Sequence, residues 1–244
     1  MKPCFVLILL AAGAASRMIE KRVIGSKSCK DNRRYHVQIK SVQGGKICGG
    51  ALLNTRWVIT ASHCAEQEVK VTLGLNHDKL SKMKTVFDSE KEQIISTKQQ
   101  HTFDKHDIML IRLNKDVPAK YPTISLPSGD CTKLEPKTEV AIGGMGADKI
   151  GSKPISNVKC ATTLISECGE NDKPDSKYAS DESTVCAHKP GVDSCYGDSG
   201  SAVEYKGHLQ GIVVSEPKDK CANTIVMLDI CKYMEWIEKT MKEN

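Results

Sequence analysis

Beyond its first residues, this 244-residue chain has no stretch approaching the ~20 consecutive apolar side chains that cross a bilayer. No Asn-x-Ser/Thr sequon occurs, so N-glycosylation is not expected. No paired Cys-x-x-Cys and no Cys/His ligand cluster are present, so a zinc site is not expected, and no cofactor is indicated. Strong charge of one sign is also missing. The formal net charge of +5 falls to +2 without residues 1–22, too small an excess to argue for a nucleic-acid partner. No internal repeat is visible.

What is present begins with a targeting segment. Lys2 precedes a short apolar run, Cys4 to Ala12, which fades into the small residues Gly13 to Ser16. That pattern reads as a signal peptide over 1–16, with no membrane anchor and an extracellular or secretory-granule destination. Setting Cys4 aside leaves ten cysteines in an oxidising compartment, and five disulfides are the natural reading. Counting does not choose their connectivity. Arg17 to Arg22 ends in a dibasic pair before Val23-Ile24-Gly25, which reads as a processing site or as an ordinary charged tail.

The remainder reads as short strands between turns. Val37, Ile39 and Ser41 alternate with polar residues, and Gln43 to Lys46 forms a hairpin-type turn before a strand over 47–53. Further strands are expected over 57–60, 69–73, 108–111, 140–142, 208–214 and 224–228. The segment 108–111 is nearly all apolar, as in a strand covered on both faces. Tyr233, Trp236, Ile237, Thr240 and Met241 lie on one helical stripe. Many short strands and one terminal helix predict an all-β sandwich or a pair of barrels. Pro118, Pro122, Pro127 and Pro136 make 114–136 the expected connector between two halves.

Three chemically capable residues stand apart in the chain. His63 follows an apolar strand and precedes a cysteine. Asp107 stands directly before the Ile108 strand. Ser199 sits in the small-residue turn Gly197-Asp198-Ser199-Gly200. Singly, each has an ordinary structural reading: a core histidine, a strand-start acid, a polar turn. A serine hydroxyl becomes a useful nucleophile only beside a base and a group that orients it.

Together these motifs resemble the trypsin-like serine proteases of the chymotrypsin family. The matching text is Val23-Ile24-Gly25, Cys48 to Leu52, Trp57 to Cys64, Asp107 to Ile111, Asp193 to Gly200, and Trp236-Ile237. The resemblance implies two six-stranded antiparallel β-barrels with a C-terminal helix, a propeptide over 17–22 and a peptidase domain over 23–244. It implies Ser199 as nucleophile, His63 as base, Asp107 as its orienting acid, and the N–H groups of Gly197 and Ser199 as oxyanion hole. Cleavage after Arg22 would free the Val23 amine to pair with Asp198. The implied disulfides are Cys29–Cys160, Cys48–Cys64, Cys131–Cys231, Cys168–Cys186 and Cys195–Cys221. Protein or peptide substrates, an activating protease and protein protease inhibitors are the implied partners of a monomer.

Specificity is where the chain departs from the family. Asp193 stands where trypsin-like members keep the acid that selects Arg or Lys. However, Glu216 and Ile225 replace glycines at the mouth and wall of that pocket, and Val214-Ser215 replaces Ser-Trp. The loop 73–84 lacks the family's calcium-binding acids, so no calcium site is expected. Three alternatives follow: a protease cutting after Arg or Lys, a protease with a narrowed pocket, or a protease-fold binding protein without catalysis.

Overall fold

The structure, a computed structural model, describes residues 27–30, 32–64, 67–75, 91–129, 131–147, 153, 155, 157–174, 177–195, 197–214, 221 and 224–244. Its N-terminal half is one curled antiparallel sheet. The strands are β2 (His36–Ser41), β3 (Ile47–Leu52), β4 (Trp57–Thr60), β5 (Val69–Thr72), β6 (Glu92–Ile95), β7 (Gln100–Thr102) and β8 (Met109–Arg112), in the order β6-β5-β2-β3-β4-β8-β7. Along β2, Val37 and Ile39 face the core while Lys40 faces out, and Gly44 and Gly45 take positive φ in the following turn. Met109, Leu110 and Ile111 are wholly buried, as their uninterrupted apolar run predicts.

The C-terminal half closes on itself. Six strands form the ring: β9 (Glu139–Gly144), β10 (Lys159–Ser166), β11 (Thr184–Ala187), β12 (Ala202–Tyr205), β13 (His208–Val213) and β14 (Ile225–Asp229). The order is β10-β11-β14-β13-β12-β9, and β9 pairs back onto β10. A two-residue strand, β1 (Lys27–Ser28), adds to the outside of β10. The expected all-β two-part architecture is therefore present, as one closed six-stranded barrel and one seven-stranded curled sheet. Among the described residues, β6 and β7 remain the two edges of that sheet.

Among the described residues no strand lies between β8 and β9, where the proline-bearing connector was expected. The helix α1 (Met234–Glu243) buries Ile237 and Thr240, and Trp236 and Met241 pack against a core cluster that draws on both halves. Phe103 meets Tyr233 and Trp236 edge-on at 5.7 and 5.6 Å. The end of the chain thus returns to seal the first half. All five implied disulfides are formed, including Cys131–Cys231, which closes a separation of 100 residues beside this helix.

Candidate active site

His63 lies in a single 3-10 turn, Ser62–Cys64, at the end of β4. The Cys48–Cys64 bridge fastens that turn to β3. His63 and Asp107 are both buried, and His63 Nδ1 lies 2.6 Å from Asp107 Oδ2. The His63 backbone N–H donates to Asp107 Oδ1 at 2.9 Å. Both carboxylate oxygens therefore engage one residue. An ionised carboxylate can only accept, so the tautomer that suits this contact carries its proton on Nδ1 and turns Nε2 away from Asp107. His63 Nε2 has no hydrogen-bond partner among the described residues.

Ser199 sits between two glycines in left-handed backbone, Gly197 at φ 98° and Gly200 at φ 79°. Its carbonyl accepts from Gly49 N–H at 2.8 Å, and Gly200 N–H donates to Val213 at 2.7 Å. A Cβ on Gly200 would meet Thr60 Oγ1 at 2.2 Å and Gly49 O at 2.4 Å. The serine turn thus rests on the end of β4, three residues before His63. Ser199, His63 and Asp107 are all buried, and the packing of Gly200 on Thr60 and Ala61 brings the serine turn to the segment that carries His63.

Asp198 is buried behind the serine. Its Oδ1 accepts from Gly146 N–H at 2.8 Å and its Oδ2 from Cys195 N–H at 2.9 Å. Burial pushes its pKa up to about 6, and the two N–H donors offset only part of that rise. Among the described residues no cation pairs with it. Arg22 and Val23, the expected activation site, and Glu216, expected at the pocket mouth, lie outside the described residues.

Asp193 is half-buried, and its neighbour Ser194 is buried with no partner for Oγ among the described residues. Ile225 is fully buried in an apolar cluster that includes Val213 and Met227. Ser194, Asp198, Val213 and Ile225 bound a cavity of about 20 Å³, room for roughly one water molecule. A larger cavity of about 530 Å³ lies against Lys27, Arg33 and Glu204, and none of His63, Asp107 or Ser199 lines it. The sulfurs of Cys48 and Cys64 lie near His63 but are bonded to each other, so they offer no thiolate to a metal.

Three glycines carry more of the site than motif reading suggests. A Cβ on Gly144 would fall 2.2 Å from Asp198 Oδ1, one on Gly146 2.3 Å from Asp198 Cγ, and one on Gly49 2.1 Å from Ser201 Oγ. The only trace of this in the sequence is glycine density, in Gly49-Gly50 and in Gly143-Gly144-Met145-Gly146.

A sequence profile of the trypsin family matches residues 23–237. A trypsin of Xenopus laevis is 31% identical over 247 residues, with 98% of this chain and 99% of the relative covered. A trypsin of Sus scrofa is 31% identical over 235 residues, covering 92% and 98%. Among solved structures, a mutant of human heparin binding protein superposes with TM-score 0.68 at 16% identity, covering 91% of this chain and 97% of that one. The matched extent, the identities and the fold agree: this chain belongs to the trypsin family and is a serine endopeptidase.

Proposed function

We propose that the protein is a secreted zymogen, activated by cleavage after Arg22, which hydrolyses peptide bonds through Ser199, His63 and Asp107. The observation that carries this reading is the buried His63–Asp107 contact of 2.6 Å, which directs the free imidazole nitrogen away from Asp107. Ser199 Oγ attacks the scissile carbonyl carbon as His63 Nε2 takes its proton. His63 returns that proton to the departing amine, leaving an acyl-enzyme that water then hydrolyses by the same route. Asp107 holds the imidazole tautomer and stabilises its charged form. The N–H groups of Gly197 and Ser199 receive the oxyanion, a role supported by the φ of 98° at Gly197.

Activation works through Asp198. The freed Val23 amine would enter the interior and pair with this buried carboxylate, fixing the turn that carries Gly197 and Ser199. The raised pKa of Asp198 supports the reading, since a buried acid gains most from a cation. Partners on this reading are protein or peptide substrates, an activating protease and protein inhibitors. The enzyme acts as a soluble monomer in an extracellular or granule compartment.

Asp193 supports cleavage after Arg or Lys. A second reading is favoured by one specific observation: Ile225, which the family resemblance puts in the wall of that pocket, is fully buried, and a branched side chain there leaves less room for a guanidinium. The test is protein cleaved after Arg22, with Ser199→Ala alongside, on peptides carrying Arg, Lys, Phe, Leu or Ala at the cleaved position. Ser199-dependent turnover is expected. If the parent and Ser199→Ala hydrolyse every peptide equally slowly, the catalytic reading fails, and efficient Arg turnover would end the narrowed-pocket reading.

A further inference from the structure

Asp107 presents a problem of orientation. Its two carboxylate oxygens engage His63, and among the described residues no third donor reaches them. A carboxylate without an independent anchor takes its plane and position from its own backbone. The backbone from His106 to Ile108 therefore decides how it meets the imidazole.

One hydroxyl reaches both flanking residues: the His106 carbonyl, in the unit that joins His106 to Asp107, and the Ile108 carbonyl, in the unit that joins Ile108 to Met109. Ser62 Oγ is 2.7 Å from the carbonyl oxygen of Ile108 and 3.3 Å from that of His106. Ser62 is itself buried and directly precedes His63. The dipeptide Ser62–His63 thus grips His106–Asp107–Ile108 at four points, two carboxylate oxygens and two flanking carbonyls. Because a serine has one proton to give, the shorter bond to Ile108 takes it and the His106 carbonyl lies at the edge of its range. On the opposite side, His106 Nδ1 is 2.8 Å from Tyr233 Oη, which is also 2.7 Å from Ser183 Oγ. The segment is therefore tied to the C-terminal half while Ser62 sets its tilt.

The geometry points to Ser62 as a positioning residue for Asp107, a role that rests on the proposed triad. A hydroxyl that only satisfied a buried carbonyl would affect stability when removed. One that sets the carboxylate affects the chemical step, because stabilising the imidazolium depends on the length and alignment of the Asp107 contact.

The experiment compares cleaved parent, Ser62→Ala and Ser62→Thr by steady-state kinetics, counting active sites by titration. The low-field resonance of the proton between His63 Nδ1 and Asp107 is recorded for each. Loss of one hydrogen bond in the positioning path is expected to lower kcat per active site about fivefold in Ser62→Ala, with KM within about twofold. The low-field resonance should shift or broaden in Ser62→Ala, and Ser62→Thr should recover both readouts. Retention of kcat per active site together with an unmoved resonance in Ser62→Ala overturns the inference. If the parent itself lacks Ser199-dependent turnover, the proposed function fails, and the resonance alone still decides the role of Ser62. Should Ser62→Ala not fold, Ser62→Gly carries the same two expectations.

Discussion

The backbone N–H of Gly49, on β3, donates to the carbonyl of Ser199 at 2.8 Å, joining the N-terminal sheet to the serine turn. The same glycine has no room for a side chain, because Ser201 Oγ and His36 Cε1 lie 2.1 and 2.8 Å from where a Cβ would stand. Gly49→Ala should therefore displace the turn. The expected cost is about 1–3 kcal/mol of stability from overpacking, together with a fall in kcat. Urea unfolding and kinetics on one preparation check this, and an unchanged kcat would show that the turn is held by other contacts.

Asp107→Asn should leave the fold intact and reduce kcat by about 10⁴, since an amide can hold the imidazole in the wrong tautomer. Active-site titration with circular dichroism separates that loss from misfolding. A reduction below about tenfold would remove Asp107 from the proposed chemistry.

Two buried groups give the uncleaved chain opposite pH dependences. Asp198 is raised from 3.8 to about 6, so between those values the native state holds a proton that the unfolded chain has released. Its contribution makes the uncleaved chain less stable as pH rises through that window. His36 is lowered from 6.5 to about 3, first by burial and then by Arg33 nearby. The unfolded chain binds a proton there that the native state refuses, so its contribution weakens the fold as pH falls through that window. Urea midpoints across pH 3–8 should show a smaller loss on raising pH in Asp198→Asn, and a smaller loss on acidification in His36→Gln. An Arg22→Gln background removes the proposed cleavage site and keeps all samples as the full chain. Identical pH slopes in the three proteins would contradict both assignments.

Ile225→Ala should widen the cavity beside Ser194 at a cost of about 2–5 kcal/mol for the lost burial. If Ile225 restricts the pocket, turnover of an Arg peptide rises relative to an Ala peptide despite the lower stability. A relative rate that stays constant places the restriction elsewhere.

Removing the Cys131–Cys231 bridge by paired Ala substitution should cost about 2–5 kcal/mol, because the bridge closes a separation of 100 residues. Thermal unfolding measures the loss. A midpoint within about 2 °C of the parent would mean that packing around α1 already supplies the constraint.

Some strands were legible because their pattern is local, and others were hidden for identifiable reasons. β2 and β8 announce themselves by alternation and by an unbroken apolar run. β10 does not, because its inward positions are Ala161, Thr163 and Ile165, two of them small or polar. β6 inverts the usual rule. Gln93 points inward and exchanges two hydrogen bonds with the Lys115 backbone, while Ile94 is exposed. Likewise, nothing local marks Ser62 as touching both neighbours of Asp107, 44 and 46 residues away.

The sequence by itself determined the chemistry available: a histidine, an acid and a turn-borne serine set in family motifs, eleven cysteines, and a strand-rich pattern. Those features depend on residue type and on spacings of a few residues. Tertiary structure decided that Asp107 engages His63 through both oxygens, that Asp198 accepts from Gly146 across 52 residues, and that Ile225 is fully buried beside Ser194 and Val213. Such contacts depend on how two sheets close against each other, and no local period encodes the distance between residues that the closure brings together.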